Sequence, residues 1–598
     1  MTRSIIRRCS CTFAPPQSQI AWRQLSIPET LDLPTKESAV DAWLPKSILC
    51  LRDYNRKRFL SDLIAGITVG LVALPLAMAF AIASGVPPQT GLYCAVVAGF
   101  LISALGGSKT QIGGPTGAFV VIVSGIVLKH GIGGLYICTL LAGIMLVVLG
   151  VTGFGSAVKF IPRPVVVGFT NGIAVIIAST QVKDFFGLRV EHVPGEFGAR
   201  VEALARGFHT LDLRTTLLAV GALMVILITP RVFSKVPGTI VALLAGTGIA
   251  IALKFPVETI GTRFGGIPSG LPRLEIPHFD ISMVHSLIGP AVTVAMLGAI
   301  ESLMSAVVSD RMSHDKHNPN VELIGQGVAN IVSPMFGGLP ATGAIARTAT
   351  NIRSGAQSPV AGMIHALTLL AILLFAAPLA KFIPLSVLAA ILFIVAYNMG
   401  EWREIPDILK LTKSEISVWL ATFLLTVFAD LTVAVEFGMI LATLLFIRNV
   451  TSTTTVSEVT EDYIEDGQVH SLQGRDIPGY LRIFRIHGPF LFGATEKVSA
   501  IYDQLEHLPS IVILRLRNMT AIDATGIQAL ETLAEDLEKS GRTLLLCGAR
   551  EQPAIMMAMA EFENHVGREN ICPHVEAALE RAREIHTEQA VVRSVGRM

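Results

Sequence analysis

From Leu63 to Ser108 the chain carries no Asp, Glu, Lys or Arg. At roughly 20 residues per crossing that stretch is long enough for two membrane spans, and similar runs recur as far as Ile447. Inside a bilayer every backbone polar group needs an internal partner, so the runs must fold as helices, and irregular backbone survives only where protein buries it or a cavity lines it. With 51% hydrophobic and 16% charged residues over 598 positions, and a mean hydropathy of +0.59, the composition excludes an ordinary soluble protein. The fold class read from it is an α-helical polytopic membrane protein.

Apolar runs set against Gly/Pro punctuation predict fourteen segments, near 63–84, 91–106, 115–129, 135–155, 163–182, 214–230, 237–254, 286–308, 323–336, 343–354, 359–376, 382–398, 414–428 and 431–448. Several are shorter than a full crossing. Gly113-Gly-Pro-Thr-Gly-Ala118 introduces the third and Gly337-Gly-Leu-Pro-Ala-Thr-Gly-Ala344 the tenth, and both of these segments read as half-helices. An offset of seven is what a 7+7 inverted repeat produces, with the ligand site between the repeats. The N–H groups and positive dipole end of each half-helix favour an anion.

Arg52, Arg56, Lys57 and Arg58 precede the first span and Arg448 follows the last, so the positive-inside rule places both termini in the cytoplasm and makes the number of spans even. The seven cysteines lack zinc-site spacing, and no structural disulfide is expected. The leader around Cys9-Ser10-Cys11 reads as a disordered cytoplasmic tail in preference to an organelle transit sequence.

Past Thr451 the pattern changes to that of a small α/β domain, with strands at Tyr480–Ile486, Ile511–Leu516 and Arg542–Cys547 and a helix over Gly526–Lys539. The expected boundaries are a cytoplasmic N-terminal region at 1–58, the transmembrane domain at 59–450, a linker at 451–475, the α/β domain at 476–585 and a tail at 586–598.

Glu301 interrupts the apolar run Ile288–Val308, where a carboxylate usually marks an ion or proton pathway. Ser305 lies one helical turn on. Glu301 reads as a proton carrier, as a sodium ligand together with Ser305 and nearby carbonyls, or as a buried hydrogen bond between helices. Arg347, just past the second Gly/Pro cluster, reads as a positive charge aimed at an anion or as a salt-bridge partner, with Glu301 a candidate for the other half. Asp310, His314, Asp315 and His317 sit in a polar segment, Ser309–Asn320, with Arg311 and Lys316 interleaved. It reads as a solvated loop and not as a metal site. The sequons at Asn449 and Asn518 fall on segments placed in the cytoplasm. No catalytic constellation, metal site or cofactor motif is visible.

The runs Gly298-Ala-Ile-Glu-Ser-Leu through Asp310, Glu322-Leu-Ile-Gly-Gln-Gly, Gly337–Thr348, Pro87–Tyr93 and Gly168–Gly187 closely resemble the SulP inorganic-anion transporter family. The resemblance extends from about Phe59 to Glu580 and includes a tail similar to a STAS domain. It implies core and gate domains, an elevator-like movement, a frequently dimeric assembly, and an anion pocket at Phe80, Thr116, Gly117, Ala344, Ile345, Ala346 and Arg347. Glu301 matches a position where bicarbonate transporters of the family carry a sodium-binding Asp, with Ser305 at a companion hydroxyl. A glutamate there is more similar to proton-coupled sulfate carriers. The chain departs from relatives at Leu76, where some carry Gln, and at Ala344 and Ala346, where some carry Ser. Asp523-Ala-Thr-Gly526 resembles a phosphorylated STAS loop in which only Thr525 keeps a hydroxyl, and the turn that opens the next helix is the alternative.

These readings predict a secondary active transporter of an inorganic oxyanion, sulfate first and bicarbonate or chloride as alternatives. It would be coupled to protons through Glu301 or else to sodium, or work as an exchanger. It would sit as a multi-pass homodimer in a plasma or inner membrane, with a cytoplasmic partner for the STAS domain and no nucleic acid. A membrane-bound anion sensor or scaffold, and an uncoupled anion channel, are the alternatives of other classes.

Overall fold

The computed structural model describes residues 43–52, 54–155, 162–190, 193–233, 237–270, 273–274, 281–429, 431–459, 477–502 and 504–595. The leader cysteines Cys9 and Cys11 and most of the expected linker lie outside them. The described residues divide into two compact units, one drawn from Met1–Lys159, Lys183–Arg189 and Thr210–Leu392, the other from Phe160–Val182, Val190–His209 and Phe393–Met598.

Each of the fourteen predicted segments falls on a helix. Seven helices among the described residues are long and apolar enough to cross a membrane: Arg56–Ala83, Pro88–Leu105, Gly117–Val151, Arg163–Phe186, Leu213–Val232, Met283–Ser313 and Leu385–Ile408. Gly238–Ala252, Val360–Phe375 and Phe437–Thr453 are shorter apolar helices. The third and fourth segments run on as one element, Gly117–Val151, broken by non-helical backbone at Gly131, where φ is 69°. A side chain rarely tolerates that conformation, so glycine supplies the break. The tenth segment is the nine-residue helix Ile345–Arg353.

In the first unit the helix Pro319–Val332 packs closely against Gly117–Val151. Small residues allow the approach: a Cβ at Gly143 would stand 2.7 Å from the Gly327 carbonyl oxygen, and one at Gly327 would stand 2.6 Å from that of Gly143. Two extended pieces cross between the helices. β1 (Gly113–Gly114) pairs antiparallel with β2 (Thr342–Gly343), with Gly113 opposite Gly343 and Gly114 opposite Thr342. The polar segment expected as a loop from Ser309 is instead partly helical, since the helix Ile281–Ser313 continues through it. Both of its aspartates are paired. His317 meets Asp310 at 2.6 Å and Lys46 meets Asp315 at 3.2 Å, while Ser309 is buried.

An ion cluster ties two parts of this unit. Arg263 holds Asp184 through both guanidinium nitrogens, at 3.0 and 2.7 Å, and donates to Glu258 at 2.9 Å. The Arg263 bonds keep the Glu258 carboxyl below its ordinary range against the opposing effect of partial burial.

In the second unit Gly168 brings the helix Arg163–Phe186 close to Lys413–Phe428, a Cβ there lying 2.6 Å from the Trp419 carbonyl oxygen. Buried Asn171 accepts the Trp419 indole N–H at 3.0 Å. The α/β domain is a five-stranded sheet in the order β3 (Thr455–Glu458), β4 (Leu481–Phe490), β5 (Ile511–Ile522), β6 (Thr543–Cys547) and β7 (Ile571–Cys572). β3 is antiparallel to β4, and the remaining strands run parallel. The predicted strands and helix recur as β4, β5, β6 and Ala524–Lys539. Two expected boundaries shift, because β3 draws part of the 451–475 linker into the sheet and the helix Val575–Val595 runs past 585 into the expected tail. Alternate β-strand residues feed two apolar layers, with Leu514 and Leu516 facing one and Ile511 and Ile513 the other.

Gly327→Ala should destabilise the first unit by about 1–3 kcal/mol, because its Cβ would overlap backbone that cannot swing aside; thermal unfolding of detergent-purified protein measures it. For Glu258 the folded carboxyl is depressed, so its stabilisation is present above the ordinary carboxylate range and is lost as pH falls through the lower folded value. The unfolding midpoint should therefore drop on acidification from about pH 7 to about pH 3, and Arg263→Gln should flatten that drop.

Candidate anion site

The β1–β2 bridge delivers two helix starts to one place. Thr116 is the N-cap of Gly117–Val151 and Ala344 the N-cap of Ile345–Arg353, and neither start has a capping side chain. Elsewhere in the molecule Asn55, Asp212, Asn318 and Thr412 cap helix starts in the usual way, their side chains accepting backbone N–H groups. Thr116 is of the right residue type for that role, yet its hydroxyl turns away and donates to Glu301 Oε2 at 2.8 Å. First-turn amides left without side-chain caps form a positive, hydrogen-bond-donating end.

Extended backbone leading to the bridge is held by buried partners. Ala344 N–H donates to the Ile112 carbonyl at 2.8 Å, Ile112 N–H to Thr348 Oγ1 at 3.0 Å, and Asn351 Nδ2 to the Thr110 carbonyl at 2.9 Å. On the second arm Asn330 brackets Ala341, accepting its N–H and donating to its carbonyl, each at 2.8 Å. Thr342 Oγ1 donates to the Gly298 carbonyl at 2.9 Å, one turn before Glu301.

Arg347 is buried, 3% exposed, and its Nη2 donates to the Pro115 carbonyl just before the first half-helix. Its Nη1 has no hydrogen-bond partner, and a Cβ on Gly114 would stand 2.8 Å from it, so glycine leaves the guanidinium its room. Ala344 and Gly117 are buried, whereas Ile345 and Ala346, in the first turn of the second half-helix, are exposed. Phe80 is buried near the end of Arg56–Ala83, a helix that packs against both half-helix elements.

Two pairings read from the sequence resolve differently. Glu301 and Arg347 make no direct ion pair; Thr116 takes the carboxylate and Pro115 the guanidinium. Ser305, fully buried, turns its hydroxyl to Thr348 Oγ1 at 3.1 Å instead of joining Glu301. Thr525 is exposed in the first turn of Ala524–Lys539, where Asp523 caps the helix through the Gly526 N–H at 2.8 Å and accepts Phe492 N–H at 3.0 Å.

Two buried carboxylates escaped the sequence reading. Asp62 accepts the Gln357 and Ser358 amides at 2.6 and 3.2 Å and the Tyr54 hydroxyl at 2.9 Å, pinning the chain just after the second half-helix. Partial burial and donation to Asp62 push the Tyr54 hydroxyl up to about 12. Glu322 is the second, and its partners include the Gly107 and Ser108 amides. Each has partners more than 200 residues distant in sequence.

Comparison with known proteins decides the family. The Sulfate permease family model matches residues 59–422, and the STAS domain model matches residues 473–578. The "Putative sulfate transporter YvdB" of Bacillus subtilis is 40% identical over 526 residues, covering 88% of this chain and 98% of that protein. The chain belongs to the sulfate permease family. As a family member it is a multi-pass membrane anion transporter, not an enzyme, and it ends in a STAS domain. The bicarbonate transporter BicA of a Synechocystis strain is 31% identical, with 82% of this chain and 88% of that one covered. The solved transmembrane domain of a cyanobacterium BicA is 34% identical and superposes with a TM-score of 0.59, over 64% of this chain and 98% of that one. The murine Solute Carrier 26 family member A9 anion transporter, solved in the inward-facing state, shares 17% identity and a TM-score of 0.82 over 98% of this chain and 100% of that one. It shows the fold alone.

Replacing Arg347 by Lys keeps one positive charge but loses the planar fork that reaches Pro115 and still presents a free N–H. Sulfate affinity measured by calorimetry on purified permease should fall by about 10-fold or more.

Proposed function

We propose that this permease is a secondary active transporter of an inorganic oxyanion, sulfate first, driven by protons through Glu301. The observation that carries the reading is the pair of uncapped half-helix starts joined by the β1–β2 bridge, with a buried Arg347 nitrogen left without a protein partner. A tetrahedral dianion offers several acceptor oxygens to such a set of converging donors, and the permanent Arg charge offsets its desolvation. The pocket is assigned to Phe80, Thr116, Gly117, Ala344, Ile345, Ala346 and Arg347. Ala344 and Ala346 bring no hydroxyl, which leaves backbone amides and Arg347 as the principal donors.

Glu301 touches the same site through Thr116, so its protonation state and the anion's charge are coupled by proximity. Thr116 is at once the N-cap of one half-helix and the donor to the carboxylate. A proton on Glu301 would remove a negative charge next to the incoming anion, which favours loading both together. Movement is assigned to an elevator-like step of a core domain against a gate domain in a 7+7 inverted repeat, within a homodimer whose termini both lie in the cytoplasm of a plasma or inner membrane. The STAS domain, with Thr525 exposed, is assigned to regulation or partner binding.

Sodium-coupled bicarbonate uptake is the second reading, favoured by the likeness to the BicA transporters. In it a sodium ion would need the Glu301 carboxylate. Ser305 would have to leave Thr348 to take part.

Proteoliposomes containing the permease should accumulate sulfate under an inward proton gradient, with no dependence on sodium. Glu301→Gln should abolish the gradient-driven component while leaving sulfate exchange measurable. Bicarbonate uptake that requires sodium, with sulfate untouched, would establish the second reading instead.

A further inference from the structure

Glu322 is buried, 1% exposed, on the helix Pro319–Val332. Four donors converge on its carboxylate. Oε2 accepts the Gly107 and Ser108 amides at 2.9 and 3.0 Å; Oε1 accepts Gln326 Nε2 at 2.9 Å and Ser302 Oγ at 3.3 Å. All four partners are placed to donate, so each carboxyl oxygen of Glu322 holds two donors.

The four donors come from three parts of the chain, and two of those lead directly to the candidate site. Gly107 and Ser108 open the extended segment that runs through Thr110, Gln111 and Ile112 into β1 and Thr116. Ser302 follows Glu301 on its helix. Gln111 Nε2 makes a second tie between the same two parts, donating to the Ser302 carbonyl at 3.2 Å and hydroxyl at 3.3 Å. Glycines clear the approach. A Cβ on Gly106 would stand 2.9 Å from Glu322 Oε2, one on Gly107 would stand 2.1 Å from the Asn318 carbonyl oxygen, and one on Gly325 would stand 2.9 Å from the Gly106 Cα.

We propose that Glu322 is a positioning residue of this transporter, a carboxyl brace that sets the segment 107–116, and with it the first half-helix start, in register with the Glu301 turn. Glu322 touches neither anion nor proton. It acts through the Gly107–Ser108 loop and Ser302, and the distance from Thr116 to Glu301 depends on both. In its absence the two arms are still joined by Gln111, but the loop amides lose their acceptor and the strand gains slack where sub-ångström placement decides affinity.

Hydrogen–deuterium exchange and sulfate calorimetry on the full-length protein in nanodiscs test this proposal, which rests on the anion-transport reading. Glu322→Gln puts an amide N–H₂ where one of the two pairs of donors needs an acceptor. It should speed exchange locally at 107–116 and weaken sulfate binding by about 10-fold or more. The exchange pair Glu322→Gln with Gln326→Glu, in which amide and carboxylate trade places one turn apart, should recover both in part. Ser302→Ala, a milder change that removes one donor, should move both readouts in the same direction by less and serves if Glu322→Gln is not recovered folded. Exchange unchanged at 107–116, exchange raised throughout the membrane helices, or sulfate affinity unchanged while 107–116 loosens would each overturn the proposal. Wild-type protein that binds neither sulfate nor bicarbonate, with 107–116 still loosened locally by Glu322→Gln, would refute the transport reading and leave the brace supported.

Discussion

The backbone bridge between Gly113–Gly114 and Thr342–Gly343 is the constraint on which the rest of the membrane unit depends. Extended backbone within a bilayer has no helix to satisfy it and no water to replace one, so two such pieces are tolerable only where they pair with each other and with buried side chains. Thr348, Asn351 and Asn330 supply what the short ladder cannot. Because the bridge is antiparallel and each strand runs within a few residues into a helix, it also fixes where two helices begin. Their starts are left without side-chain caps, an arrangement that costs stability unless a ligand or water completes it.

Charge is distributed unevenly over the two arms. The second arm carries Arg347, whose guanidinium reaches back to Pro115 on the first arm; the first carries Thr116, whose hydroxyl reaches Glu301 on a third element. A positive group and a carboxylate are thus held beside one another without forming an ion pair. Closure of that pair would neutralise the field that draws an anion in, and Thr116 and Pro115 each occupy the partner that would otherwise do so. The same geometry places the group proposed to carry the proton next to the group proposed to bind the anion.

Much of this was legible in the sequence because it rests on local pattern. Each of the fourteen runs read from apolar stretches and Gly/Pro breaks falls on a helix, and alternation located β4, β5, β6 and the Ala524–Lys539 helix, since span length, helix breaking and strand periodicity are properties of neighbouring residues. The family resemblance supplied the candidate pocket residues, and the structure brings Thr116 and Ala344 to the two helix starts. What could not be read were bonds between distant positions. Ser305 lies one turn from Glu301 on its helix, yet a Thr 43 residues later takes its hydroxyl. Asp62 and Glu322 have backbone partners more than 200 residues away, which no local pattern reveals. β3 was overlooked because a four-residue strand carries too little alternation to stand out from a linker, and it is defined by pairing with β4.

The central claim is that an oxyanion completes the two uncapped helix starts. Selenate, a heavier analogue of sulfate, provides the direct measurement: an anomalous difference map, at the selenium edge, of crystals grown with it. The account predicts a selenium peak at the crossing, within hydrogen-bonding reach of the first-turn amides that follow Thr116 and Ala344 and of the free Arg347 nitrogen. A selenium peak bound elsewhere in the protein, with the crossing empty at the same selenate concentration, would contradict it.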